Sequence, residues 1–124
     1  IWNEERLLVD GKLVEAEGGK LSDNINPATE EVLGQVADAS KADMQVAIAA
    51  ARRAFDETDW STNRAFRKAC LLQLQAALEG EREQLREELI AEGGAPRLLT
   101  YAPQLDYPLR DGLLWPAEMI DIFE

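Results

Sequence analysis

The apolar residues at the start of the chain fall in short runs broken by turn-forming pairs. Leu7, Leu8 and Val9 lead into Asp10-Gly11, and Leu13 and Val14 lead out. Asp-Gly suits the positive φ angles of a type I′ turn, so residues 6–15 are expected to form a hairpin. Glu17-Gly18-Gly19-Lys20 is expected to be a flexible link. Residues 21–26 read as a short strand stopped by Pro27, and residues 31–37 as another. In the second, Val32 and Val36 share one face and Leu33 takes the other, while Gly34 weakens the strand or marks a bulge.

The period then changes from strand to helix. Ser40 with Asp43 has the character of a capping box. Met44, Ala47, Ile48, Ala51 and Phe55 form one face of a helix extending to about residue 57. Ser61 is the expected cap of a second helix, whose buried stripe is Phe66, Cys70, Leu74, Ala77 and Leu78. Gly80 ends or interrupts that helix. Leu85, Leu89 and Ile90 mark a third, closed by Gly93-Gly94. A last helix is expected over residues 103–123, with Pro108 in a first turn and Pro116 as a kink. Strands followed by helices point locally to α+β.

Composition narrows the function classes. The 124 residues are 46% hydrophobic and 30% charged, as in a folded soluble chain. A formal net charge of -11 repels phosphate backbones and anionic bilayers, which disfavours nucleic-acid and membrane partners. The single cysteine, Cys70, allows no internal disulfide and fits a reducing, cytoplasmic setting. The absence of histidine removes imidazole zinc sites and histidine-based triads. No apolar run is long enough to span a bilayer, and no signal peptide opens the sequence. A first residue of Ile and a last stretch that is still apolar and periodic are expected of an incomplete chain.

Candidate chemistry is sparse. Gly18-Gly19 and Gly93-Gly94 lack the spacing of a phosphate-cradling turn. Cys70 has Arg67 and Lys68 near it, yet its place between Phe66 and Leu74 is that of a packed small hydrophobe. Glu79, Glu81, Glu83, Glu87, Glu88 and Glu92 interleave with Arg82 and Arg86, and a solvated helix face accounts for them. Trp2, Trp60 and Trp115, with Tyr101 and Tyr107, could line an apolar cavity, but core packing is the default.

Ordered motifs add what spacing does not. Leu8-Val9-Asp10-Gly11-Lys12-Leu13-Val14 resembles the opening hairpin of the aldehyde dehydrogenase family. The run Asn26-Pro27-Ala28-Thr29-Glu30-Glu31-Val32-Leu33-Gly34-Gln35-Val36 is similar to the family's N-P-A-T-G-E-V-I-G-x-V stretch, with Glu30 where glycine is usual. The alanine-rich residues 43–56 resemble its D-V-x-x-A-V-x-A-A-R-x-A-F helix, and Trp60-Ser61 follows at the expected distance. Glu92-Gly93-Gly94-Ala95-Pro96 stands where the family often has E-T-G-K-P.

The resemblance implies an α/β fold with a Rossmann-type parent, of which this segment supplies an N-terminal hairpin and short strands followed by helices. Residues 1–124 would be the start of the cofactor-binding domain, with the cofactor core and catalytic domain outside. It implies oxidation of an aldehyde substrate to an acid with NAD or NADP through a cysteine thiohemiacetal. None of the residues present matches the family's catalytic or cofactor-binding groups, so the segment alone is expected to be inactive. Two carry-overs remain. The Ile25 carbonyl and Glu92 match positions that help hold a structural monovalent cation, with a surface carboxylate as the alternative. Pro103 and Tyr107 match the substrate-tunnel wall and are expected i, i+4 on one helix face, with core packing as the alternative. The expected partners are the remainder of the parent polypeptide and further copies in a homodimer or homotetramer. A non-catalytic acidic α+β interaction module or enzyme remnant is the competing reading.

Overall fold

The computed structural model describes residues 3–123. The chain divides into two compact units, one ending at Asp59 and one beginning at Trp60.

In the first unit, β1 (Arg6–Val9) pairs antiparallel with β2 (Lys12–Glu15), placing Leu8 opposite Leu13. Asp10 and Gly11 have φ of 54° and 72°, the positive pair that a type I′ turn requires. Residues expected as a flexible link form a 3-10 turn, Glu17–Gly19, instead. That turn is tied down from both sides. The Glu17 N–H donates to the Asp43 carboxylate at 3.0 Å, and Ser40 Oγ donates to the Glu17 carboxylate at 2.8 Å.

β3 (Leu21–Ile25) and β4 (Val32–Ala37) form a second antiparallel pair. Asn24 faces Gly34 but Ile25 faces Val32, so Leu33 is the extra residue of a bulge. The simple alternation of Val32, Leu33 and Val36 therefore fails, leaving Val32 exposed and Leu33 half-buried. Asn26 closes the intervening turn by accepting the Ala28 N–H at 2.8 Å and the Thr29 N–H at 3.2 Å. Glu30 adopts φ of 61°, where a Cβ is strained. Glu30→Gly should therefore stabilise the chain by about 1 kcal/mol, read from the shift in urea midpoint at constant slope.

α1 (Lys41–Glu57) begins at the expected capping box between Ser40 and Asp43. Its expected buried face does not hold within the unit. Ala50 is buried, whereas Met44, Phe55 and Ile48, the last at 60%, are exposed. The Asp43 carboxylate accepts the Ser40 N–H at 2.8 Å as well as the Glu17 N–H. These backbone bonds, that from Ser40 foremost, hold its pKa below the ordinary 3.8. A lowered folded-state pKa contributes stability that is present above the unfolded value and is lost as pH falls through the folded one. Stability should thus decline below about pH 3.8 in part through Asp43, and Asp43→Asn should flatten that acid limb in a pH series of unfolding curves.

The second unit is helical. α2 (Arg64–Gly80) is capped by Asn63, whose side chain accepts the Phe66 N–H at 2.9 Å, and not by Ser61, which lies in a 3-10 turn. α3 (Arg82–Gly93) follows after the single residue Glu81. It ends at Gly94, whose φ of 64° and N–H bond to the Ile90 carbonyl close it as expected. The last helix, expected over residues 103–123, is α5 (Asp106–Ile122), which starts three residues later than expected and is preceded by a short α4 (Arg97–Thr100) and a turn. Pro108 sits in the first turn of α5, where a missing N–H is tolerated. Pro116 lies inside the helix without ending it.

α5 packs against α2, burying Leu109 and leaving Ala117 with no exposed surface. Phe66 and Leu74 of the expected α2 stripe are exposed, and Cys70 is half-buried. Phe66 meets Trp60 edge to face, with ring centroids 5.8 Å apart. No helix of the described residues is long and apolar enough to cross a membrane.

Candidate functional site

The best-organised polar cluster lies in the second unit and is built around Arg86. This residue is on the same side of α3 as Leu89 and Ile90, three and four positions on, so the helix carries it inward with its apolar neighbours. It is 1% exposed. Nη1 donates to Thr100 Oγ1 at 2.9 Å, and Nη2 donates to Asp106 Oδ1 at 2.8 Å. Nε and Nη2 reach the Glu83 carboxylate at 3.2 and 3.1 Å. The guanidinium lies over the Tyr101 ring at 3.9 Å from its centroid, a cation–π distance.

One side chain thus joins α3 to the end of α4, the turn after it and the start of α5. The bond to Glu83 is the largest influence raising the guanidinium's pKa above its ordinary value; burial opposes it. Thr100, fully buried, donates its hydroxyl to the Arg97 carbonyl at 2.7 Å while accepting from Arg86. Arg82 adds a contact to Asp106 at 3.9 Å and pairs with Glu79. The expectation that Arg82 and Arg86 both belong to a solvated face is therefore wrong for Arg86. A signal was present in its i, i+3, i+4 relation to Leu89 and Ile90.

The residues singled out from the sequence fall on several elements. Ile25 is the last residue of β3 and is exposed. Glu92 lies in the last turn of α3. Pro103 is in the turn before α5, and Tyr107 is the second residue of that helix. They share no helical i, i+4 face, because the helix starts after Pro103. Tyr107 is exposed, and its ring lies 5.7 Å from the Arg110 guanidinium. Cys70 is half-buried on α2. Trp2 lies outside the described residues, while Trp60 and Trp115 are exposed. An open groove of ≈ 330 Å³ runs beside the start of α5, walled by Leu78, Leu85, Leu105, Pro108, Leu109 and Leu113. Among the described residues no cluster of three or more His, Cys, Asp or Glu side chains is placed to hold a metal ion.

Short strands followed by packed helices define a mixed α/β segment, and its geometry recurs in solved enzymes. The chain superposes on an aldehyde dehydrogenase from Mycobacterium tuberculosis in complex with NAD+ with a TM-score of 0.87 and 27% identity, covering 97% of this chain and 25% of that one. It superposes on betaine aldehyde dehydrogenase from Staphylococcus aureus with a TM-score of 0.84 and 28% identity, covering 94% and 23%. In sequence it is 38% identical to an aminoacetaldehyde dehydrogenase from Pseudomonas aeruginosa over 119 residues, 94% of this chain and 24% of the relative. A family model described as "Aldehyde dehydrogenase family" matches residues 13–110. The chain belongs to the aldehyde dehydrogenase family, and it spans only the 24% of that first relative's length just given.

Proposed function

We propose that this chain is the N-terminal part of an NAD(P)-dependent aldehyde dehydrogenase, an oxidoreductase that converts an aldehyde to a carboxylic acid. The family match over residues 13–110 is the observation that supports this reading most. In the proposed reaction a cysteine thiolate outside this segment adds to the aldehyde carbon to give a thiohemiacetal. Bound NAD(P) would accept the hydride, and water would then release the acid.

Within that enzyme, residues 1–124 are read as the start of the cofactor-binding domain, with a Rossmann-type core following. Their own work is to scaffold that core and to form part of the aldehyde's path near Pro103 and Tyr107. The Ile25 carbonyl and the Glu92 carboxylate are hard oxygen donors of the kind a structural monovalent cation takes. The enzyme is read as a cytoplasmic homodimer or homotetramer, held together in part by the remainder of the polypeptide.

The test is to express the intact source reading frame and follow cofactor reduction with small aldehydes. Aldehyde-dependent formation of NADH or NADPH is expected. A reading frame that encodes no downstream cysteine and cofactor domain would overturn the proposal. For the cation, potassium should raise the enzyme's thermal midpoint and Glu92→Gln should abolish that rise. An identical potassium response in the variant would remove Glu92 from the site.

A further inference from the structure

The first turn of α5 has no cap of its own. Leu105, which precedes it, makes no side-chain cap bond. The corner between α4 and α5 is shaped by backbone bonds from Gln104 N–H to the Leu99 carbonyl and from Tyr107 N–H to the Ala102 carbonyl. Side-chain support comes from α3, through Arg86. It grips Thr100 before the corner and Asp106 after it, and it covers Tyr101 within it. Tyr107 follows Asp106 directly, so its place depends on where this grip sets the helix start.

We infer that Arg86 is a positioning residue for the aldehyde's path, fixing the α4–α5 corner so that Tyr107 stands at one reproducible place in the wall. This rests on the proposed reading of Tyr107 as part of that wall. Arginine is required by the geometry. Its planar fork offers five donors in fixed directions and a flat face for the Tyr101 ring. A lysine at the same position keeps the charge but cannot serve Glu83, Thr100 and Asp106 together while stacking on the ring.

The experiment uses the enzyme expressed from the intact reading frame and compares Arg86→Lys, Arg86→Met, Tyr107→Ala and the doubles, with a short and a bulky aldehyde. Arg86→Lys is expected to raise the aldehyde KM by on the order of tenfold, more for the bulky substrate, with kcat changed by less than about twofold. The cofactor KM should not move. In the Tyr107→Ala background the Arg86 substitutions should have little further effect on aldehyde KM, because the residue through which they act is gone.

Additive effects, or a proportional fall in every parameter, would reduce Arg86 to a general stability residue and overturn the inference. If Tyr107→Ala raises the aldehyde KM while the Arg86 variants do not, the Arg86 inference fails and the wall reading survives. If Tyr107→Ala leaves the aldehyde KM unchanged, the wall reading fails and the inference falls with it. Should Arg86→Met not fold, Arg86→Lys and Thr100→Val, each of which removes part of the grip, carry the same comparison.

Discussion

In the Arg86→Met protein the backbone amides at the start of α5, that of Leu109 among them, are expected to exchange with solvent at least on the order of 100-fold faster than in the parent. The physical reason is asymmetric. Removing the guanidinium deletes its bonds, and it also leaves Thr100 Oγ1 without that donor and Asp106 with only the longer 3.9 Å contact to Arg82. Buried polar groups stripped of their partners cost more than the net worth of the pair that held them. Methionine has a similar length and fills part of the space, so the effect reports the lost polar grip more than a cavity. Asp106→Asn in the same protein should return part of the protection by removing a carboxylate left with only the longer Arg82 contact. Thr100→Val, which deletes one arm and the bond to the Arg97 carbonyl, should cost about 1–3 kcal/mol and loosen α4 first. Unchanged exchange at Leu109 in Arg86→Met would mean that the corner is held by its backbone bonds alone.

The isolated 124-residue chain is expected to show no saturable NAD binding at micromolar concentration and no oxidation of aldehydes, a loss of all measurable activity compared with the intact enzyme. Titration calorimetry and cofactor absorbance check both. The same chain should bind apolar dyes and associate, because it exposes large hydrophobic side chains. Leu98 is 80% exposed and Trp115 65%, and Met44, Ile48 and Phe123 are exposed as well. Among the described residues the buried hydrophobics are Ala16, Ala50, Leu109 and Ala117, small or isolated groups that make a slight core. A monodisperse, cooperatively unfolding fragment would favour the alternative of an acidic interaction module. Tight cofactor binding would place the nucleotide site within these residues.

The sequence by itself determined the features that act over a few positions. Asp10-Gly11 needs no partner to favour its turn, Ser40 and Asp43 cap α1 from within one turn, and Gly94 ends α3 through its own positive φ. The ordered motifs likewise read as the family whose model matches the chain. Tertiary structure decided burial and partnership. Periodicity identified the stripe of Met44, Ile48 and Phe55, but an amphipathic face is buried only when something packs on it, and within its unit α1 buries Ala50 instead. Counting i, i+4 from Pro103 to Tyr107 failed because the residues before Asp106 are held in a turn, with Gln104 N–H bonded to the Leu99 carbonyl and Tyr107 N–H to the Ala102 carbonyl. Arg86 shows the limit most directly. Its charge reads as surface, and Glu83 on its own helix is joined by partners 14 and 20 residues further along, Thr100 and Asp106, in satisfying the buried guanidinium.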